Sequence, residues 1–295
     1  MGVRQFANSI QQILSNPHVA PSTGLLRHVG WQCRRAFNLF PFVQQISASK
    51  IVAAHRRCGV SALIHSQGMY DYDNMKFVQW LLQSGGTFFD IGANIGTYTL
   101  LASEQDGAQV LSFEPHPGTF ALMSENVNLN QRRNVRLFQA ALGHREHVVY
   151  LTNVAGSPTN HVLQGGASQM EPSNGIQVPC FRAEQICEEL AVVPDVVKLD
   201  VEGFEFDVLC GFGGFLKSIG ALLVEMNGLS DQRGAGRVSI HQLLTSRGLT
   251  GPYRCRFDLR QFEAALKQGN EDHIYVNAAV YSRLIQAGWA VESLT

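Results

Sequence analysis

From Thr87 onward the chain alternates between short apolar runs and segments with helical spacing. Thr87–Gly92 (TFFDIG) is an apolar run that ends in an acid and a glycine. Thr97–Gln105 (TYTLLASEQ) reads as a helix, and Gln109–Pro115 (QVLSFEP) as a second strand. Gly118–Asn130 carries Phe120, Leu122, Met123, Val127 and Leu129 at helical spacing, and Asn134–Leu142 (NVRLFQAAL) reads as a third strand. His147–Thr152 and Ile176–Phe181 are strand-like, Ala183–Leu190 is helical, and Asp195–Asp200 and Ala221–Glu225 are buried strands. Phe204–Cys210 starts another helix, Ser239–Arg247 is a helix closed by Gly248, and Tyr253–Phe257 and His273–Ala278 would pair as the final strands. Strands alternating with helices imply right-handed crossovers and a largely parallel sheet.

The flanks differ from this middle. Residues 1–80 read as helical and irregular, with one clear helix at Asn74–Leu82 ended by Ser84-Gly85-Gly86. Leu25, Leu26, Val29 and Trp31 lie among Arg27, Arg34 and Arg35, which suits a helix docked on the main domain or one lying on a membrane surface. The pattern divides the chain into an extension, 1–72, and a main domain, 73–295. Asn153–Gly175 is rich in Gly, Ser, Pro and Asn and lacks periodicity. That is long for an ordinary connection, so it is expected to be a lid.

Composition narrows the function classes. Of 295 residues, 45% are apolar and 16% charged, which excludes a disordered chain. A net charge of −1 argues against a broad basic face for nucleic acid. The six cysteines, Cys33, Cys58, Cys180, Cys187, Cys210 and Cys255, include no CxxC pair, so structural zinc is disfavoured and reduced thiols are expected. No apolar segment follows the polar start, Phe6 stands where a myristoylation signal needs Ser or Thr, and no run of 18 apolar residues occurs. A soluble cytoplasmic protein is expected.

Three local patterns carry chemistry. Asp90-Ile91-Gly92-Ala93-Asn94-Ile95-Gly96 joins a strand to a helix, where glycines let backbone approach a ligand. It has one glycine fewer than the dinucleotide fingerprint, and Asp90 would repel a pyrophosphate. Glu114 ends the next strand, eighteen residues after Gly96, where a carboxylate accepts ribose hydroxyls. Glu114 alone serves NAD and S-adenosylmethionine equally. Beside Asp90 and the missing glycine it favours S-adenosylmethionine, which has a sulfonium and no phosphate. Lys198-Leu199-Asp200-Val201-Glu202-Gly203 follows a buried strand at the sheet edge where ligands bind. If that strand continues, Lys198, Asp200 and Glu202 share a face. They then form a Lys198–Glu202 ion pair beside a helix-start acid, a base for an acceptor hydroxyl, or oxygen ligands for a divalent cation. His116 and His161 are weaker candidate bases, read as a turn and a loop histidine. Trp31, Trp80 and Trp289 are read as packing anchors.

These runs, FFDIGANIGTYTLLAS, VLSFEPHPGTFALMSENVNLN, VRLFQAALG and DVVKLDVEGFEFDVLCG, resemble the FkbM family of S-adenosylmethionine-dependent methyltransferases over about Asp73–Asn227. The resemblance implies an α/β class I methyltransferase (Rossmann-like) fold, with a seven-stranded, mostly parallel sheet flanked by helices and here a helical N-terminal extension. It implies O-methyl transfer to a hydroxyl of a sugar, polysaccharide or natural product. Asp90, Gly92 and Gly96, with Asn94 between them, would line the methionine moiety, Glu114 the ribose, and Ala140-Ala141 the adenine. Lys198, Asp200 and Glu202 would face the transfer site, with Glu225 and Asn227 as further wall residues. His144 stands where the family commonly has an acid. The acceptor would be a small molecule or glycan rather than nucleic acid. Two rivals remain: an NAD-binding oxidoreductase, and a binding protein with a relict nucleotide pocket.

Overall fold

A computed structural model describes residues 10–11, 13–14, 18–53, 58–152, 161–163, 175–226, 236–256, 261–264 and 271–291. Residues 1–72 include α1 (Pro21–Ala36), a hairpin of β1 (Phe42–Ile46) and β2 (Ser49–Ala53), and α2 (Gly59–Gln67), and α3 (Tyr72–Leu81) leads into the main domain. The alternating unit comprises β3 (Gly86–Ile91), α4 (Thr97–Ser103), β4 (Ala108–Phe113), α5 (Pro117–Leu129) and β5 (Val135–Phe138). Next come β6 (Ala141–Leu142), β7 (His147–Leu151), β8 (Ile176–Phe181), α6 (Ala183–Leu190), β9 (Val196–Leu199), α7 (Glu205–Gly211) and β10 (Ala221–Met226). The chain closes with α8 (Arg237–Ser246), β11 (Thr250–Arg256), β12 (Gln261–Ala264), β13 (Glu271–Val276), α9 (Ala278–Gln286) and β14 (Ala290–Val291).

Seven strands form the body of the main sheet, in the order β5-β4-β3-β9-β10-β13-β11. β5, β4, β3, β9 and β10 run parallel, and β13 inserts antiparallel between β10 and β11. β12 and β14 extend the far edge to nine strands. This is the class I methyltransferase arrangement that the resemblance implies. Chain order moves outward from β3 through β4 to β5, then returns to β9 on the other side of β3. The crevice beyond β3 and β9 is therefore the topological switch point where such sheets bind ligands.

Period-two alternation divides the core. Phe88 joins Phe77, Leu100, Leu223 and Ile274 on one face, while its neighbour Phe89 joins Phe113, Leu199, Phe212 and Leu222 on the other. Trp31 and Trp289 are buried, and the Trp80 and Trp289 rings lie 5.5 Å apart, so the tryptophans are packing anchors as expected.

Two expectations need correction. The run Asn134–Leu142 is not one strand. β5 ends at Phe138, and Ala141–Leu142 leaves to pair with β8 in a three-stranded sheet, β6-β8-β7. The small buried residues Ala140 and Ala141 make the transfer. The extension also holds a hairpin that no turn signal announces. The hairpin is tied to α5 and the residue that ends it: the Asn126 Oδ1 accepts from Val52 N at 2.7 Å, while Asn130 accepts from Lys50 N at 2.8 Å and donates to Lys50 O at 2.6 Å, and Ser49 donates to Glu104 at 2.6 Å. Asparagines one turn apart on a helix thus take the place of a neighbouring strand.

Candidate active site

The loop after β3 is shaped by its contact with β9. Gly92 N and Ala93 N both donate to Phe113 O, at 2.9 and 3.0 Å, and Asp200 N donates to Ile91 O at 3.0 Å. Gly92 has φ +78°, and a Cβ there would stand 1.8 Å from Asp200 O. Only glycine lets the loop cross the end of β9 so closely. Gly96, at φ +86°, turns the chain into α4.

Glu114 lies just beyond β4 and is 8% exposed. Its Oε2 accepts from Asn94 N at 3.0 Å and its Oε1 from His116 N at 2.9 Å. Burial pushes its carboxyl up to about 7, although both N–H groups favour the charged form. It lines a cleft beyond the ends of β3, β4 and β9. Gly92, Asn94, Ala140, Ala141 and Leu142 line the cleft with Ile91 and Phe113, as do Asp200, Glu202 and Phe204. His116 and His161 also reach it. His161–Leu163 run antiparallel to Tyr150–Thr152, through Thr152 N to His161 O and Leu163 N to Tyr150 O at 3.0 and 2.7 Å. Apart from 161–163 and Gly175, the expected lid lies outside the described residues, as does Asn227.

Gly92, Asn94, Glu114, Ala141, Asp200 and Glu202 thus converge on one cleft, whereas Asp90, Gly96 and Lys198 are not among its lining residues. Asp90 is buried and accepts from Thr99 Oγ1 at 2.6 Å, with Ser112 Oγ 2.8 Å from the same hydroxyl. Burial raises its proton affinity, which the Lys198 ammonium and Thr99 oppose. Gly96 packs against Met123.

The third motif does not continue as a strand. β9 ends at Leu199, and Glu202 and Gly203 adopt φ +51° and +95°, so Glu202 turns toward the cleft and Lys198 pairs with Asp200. The Lys198 Nζ donates to Asp200 Oδ2 at 2.9 Å and lies 5.0 Å from the Tyr98 ring centroid. Burial alone would lower the lysine's proton affinity, but Asp200, Asp272 and Asp90 more than reverse this and hold it charged. Glu225 donates a hydrogen bond to Asp200. Burial and the Asp200 charge keep its carboxyl well above the usual range, while Lys198 overcomes burial at Asp200 and keeps that carboxyl low.

Asp71, Asn74, Tyr98 and Asp272 are not singled out by any sequence pattern. Asn74 Nδ2 donates to Asp272 Oδ2 at 2.7 Å and Asp71 Oδ1 at 3.1 Å, and Tyr98 OH donates to Asp71. Asp272 faces Glu225 across β10 and β13. Their sequence signal is weak because the contacts span up to 198 residues; polar positions inside otherwise apolar elements are the only hint. Glu205 is likewise buried, accepting from Gly203 N at 2.8 Å at the start of α7. His144 binds Asp207 at 2.6 Å on the surface. Cys58, Cys180 and Cys187 are buried, and all five cysteines with described side chains are free thiols. No group of three or more His, Cys, Asp or Glu suited to a metal ion occurs among the described residues.

Strand order, the glycine loop at the switch point and the acid closing β4 define the class I methyltransferase fold, whose usual cofactor is S-adenosylmethionine. The cleft fits that group, with a buried carboxylate for hydroxyls and apolar Ile91, Phe113, Ala141 and Leu142 for a purine. The family model described as the Methyltransferase FkbM domain matches residues 90–250, more than half of the chain, and the chain belongs to this family. It is 29% identical over 141 residues to the hexuronic acid methyltransferase AglP of Haloferax volcanii, covering 47% of this chain and 55% of that protein. It is 30% identical over 140 residues to Methyltransferase 1 of Beauveria bassiana, covering 41% and 56%. The chain thus spans about half the length of the curated relatives it matches. Similar solved structures include the precorrin-6y C5,15-methyltransferase of Geobacter metallireducens, with TM-score 0.41, 17% identity and coverage of 68% of this chain and 85% of that one. Another is M. jannaschii TYW2 in complex with AdoMet, with TM-score 0.40, 13% identity and coverage of 80% and 84%.

Proposed function

We propose that the chain is an O-methyltransferase acting on a hydroxyl of a carbohydrate-like or natural-product acceptor. The observation that carries this reading is Asp200, which lines the cleft and is held from behind by the buried Lys198 ammonium at 2.9 Å. S-adenosylmethionine supplies, when bound, an already activated methyl group. The protein's work is then to hold an oxygen close and aligned, and to remove its proton. Asp200 is the proton acceptor. Its low proton affinity is no obstacle, because an alcohol oxygen becomes strongly acidic as it bonds to carbon. Lys198 and Glu225 hold Asp200 in place, and Glu202 forms part of the same wall. Glu114 accepts the cofactor's ribose hydroxyls, Gly92 and Asn94 shape the loop, and Ala141 lies beside the base. Asp90 and Gly96 support the loop from behind. The hexuronic acid acceptor in one relative's name supports a sugar as the substrate class.

The test is calorimetric titration of the wild type and Glu114→Ala with S-adenosylhomocysteine and, separately, NAD, followed by an acceptor screen with labelled methyl donor that includes hexuronic acid glycans. Micromolar binding of S-adenosylhomocysteine, weakened at least about tenfold in Glu114→Ala, is expected. Labelled methyl ethers should form, and Asp200→Asn should abolish them. Binding of NAD instead would sink the reading, as would binding without transfer to any hydroxyl acceptor.

A further inference from the structure

The sequence is electrostatically lopsided. Residues 1–70 contain seven basic residues, Arg4, Arg27, Arg34, Arg35, Lys50, Arg56 and Arg57, and no Asp or Glu; the first acid is Asp71. The remaining 225 residues hold 16 of the 23 basic residues and all 24 acidic ones. The near-neutral total conceals a net +7 segment joined to a net −8 segment. Such asymmetry between parts of a chain points to an anionic surface as partner.

The same segment displays its apolar side chains. Along α1, Gly24, His28 and Trp31 face inward and are buried. On the opposite side Leu26, Val29 and Cys33 are exposed and lead to exposed Phe37 at the helix end, a spacing of three, four and four that forms one stripe. Leu26, Val29 and Phe37 are 74%, 59% and 75% exposed, and Leu39 and Val43 continue the apolar surface past the helix. Arg27 and Arg34 fall together on one flank of the stripe, with the Arg34 guanidinium 4.1 Å from the Phe42 ring centroid. An outward apolar stripe beside cations, in a segment whose own sequence holds no acid, matches a helix lying in a membrane interface. Nucleic acid would answer the charge but offers nothing to bury Leu26, Val29, Leu39 and Val43.

We infer that this N-terminal unit docks peripherally on a lipid bilayer carrying anionic headgroups, with Leu26, Val29 and Phe37 entering the interface and Arg27 among the cations that meet the headgroups. No helix among the described residues is long and apolar enough to cross a membrane, so the contact is with one surface. The chain passes from α2 directly into Tyr70 and Asp71, and Asp71 belongs to the group around Lys198. The docking unit is thus continuous in the chain with the buried polar group around Lys198.

Flotation of the full chain with vesicles tests this inference. Phosphatidylcholine vesicles are compared with vesicles containing about a third phosphatidylserine, at about 0.1 M and about 1 M salt. Binding should require the anionic lipid and weaken at high salt. It should fall about tenfold in Leu26→Ser/Val29→Ser/Phe37→Ser and also fall in Arg27→Glu, while S-adenosylhomocysteine affinity stays at the wild-type value. All four positions are exposed, so retained cofactor binding separates lost docking from lost folding. The inference is overturned by absence of binding to either vesicle or by binding indifferent to the triple variant. It is also overturned if the chain is a dimer that the triple variant makes monomeric, or if it retains transfer RNA but no vesicles. None of these outcomes depends on methyl transfer, so a failure here leaves the proposed reaction standing.

Discussion

At the scale of single residues, the site depends on one cation shared among acids. Lys198 sits 6% exposed, with Asp200 bonded to it and Asp272 and Asp90 close enough to hold it charged. A buried lysine without such partners would lose its proton, and without the lysine the Asp200 carboxyl would no longer be held low. Glu225 solves the remaining conflict by keeping a proton and donating it to Asp200. A carboxyl with raised proton affinity makes the folded state bind more protons than the unfolded one, so its contribution to stability falls as pH rises above the ordinary value of 4.5. Glu225→Gln keeps the donor and has no proton to lose. Thermal melts should therefore show it gaining on the wild type steadily from weakly acidic to alkaline pH, whereas Glu225→Ala should be less stable throughout. A difference between Glu225→Gln and wild type that does not change with pH would refute the shared proton.

At the scale of elements, the cleft exists because two strand ends cross within contact distance. β3 and β9 are parallel neighbours, and beyond them Gly92 passes against the Asp200 carbonyl. Both a positive φ and the missing Cβ are required there. Gly92→Ala must push β9 away or rotate the loop, and either moves the Asn94 N–H from Glu114. Denaturant melts should show a loss of about 3 kcal/mol or more, with S-adenosylhomocysteine binding lost as well. Gly59→Ala, at a position with open space around it and at the start of α2, should leave both measurements near wild type.

At the scale of the whole molecule, the extension and the cofactor loop are joined through one side chain. Asn126 is fully buried; it accepts from Val52 N in the hairpin and donates to Ile95 O in the loop at 2.8 Å. Asn126→Ala leaves both backbone groups without that partner, at about 1–3 kcal/mol each. It should lower stability and weaken S-adenosylhomocysteine together, measured by melts and calorimetry. Asn130→Ala, which releases the Lys50 end of the hairpin and the Asn126 carbonyl but leaves the side-chain bonds of Asn126 in place, should lower stability and leave cofactor affinity unchanged.

Much of this molecule is legible in its amino-acid sequence alone. Apolar runs and helical spacing depend on short-range periodicity, so β3, α4, β4, α5, β9 and β10 lie within a few residues of their expected limits. The glycine loop, Glu114 and Asp200 are legible because each sits at a strand end, where parallel topology makes the binding edge predictable. Tertiary structure decided the rest. It ended β9 before Glu202, moved Ala141 into a second sheet, and placed β13 so that Asp272 faces Glu225. It held the hairpin with asparagines about 75–80 residues away and turned a mixed apolar and basic stretch into an inward and an outward face. The physical reason is range. Periodicity and turn chemistry act over a few residues, whereas a buried charge is stabilised by whatever partners the completed fold brings to it, however distant in the chain.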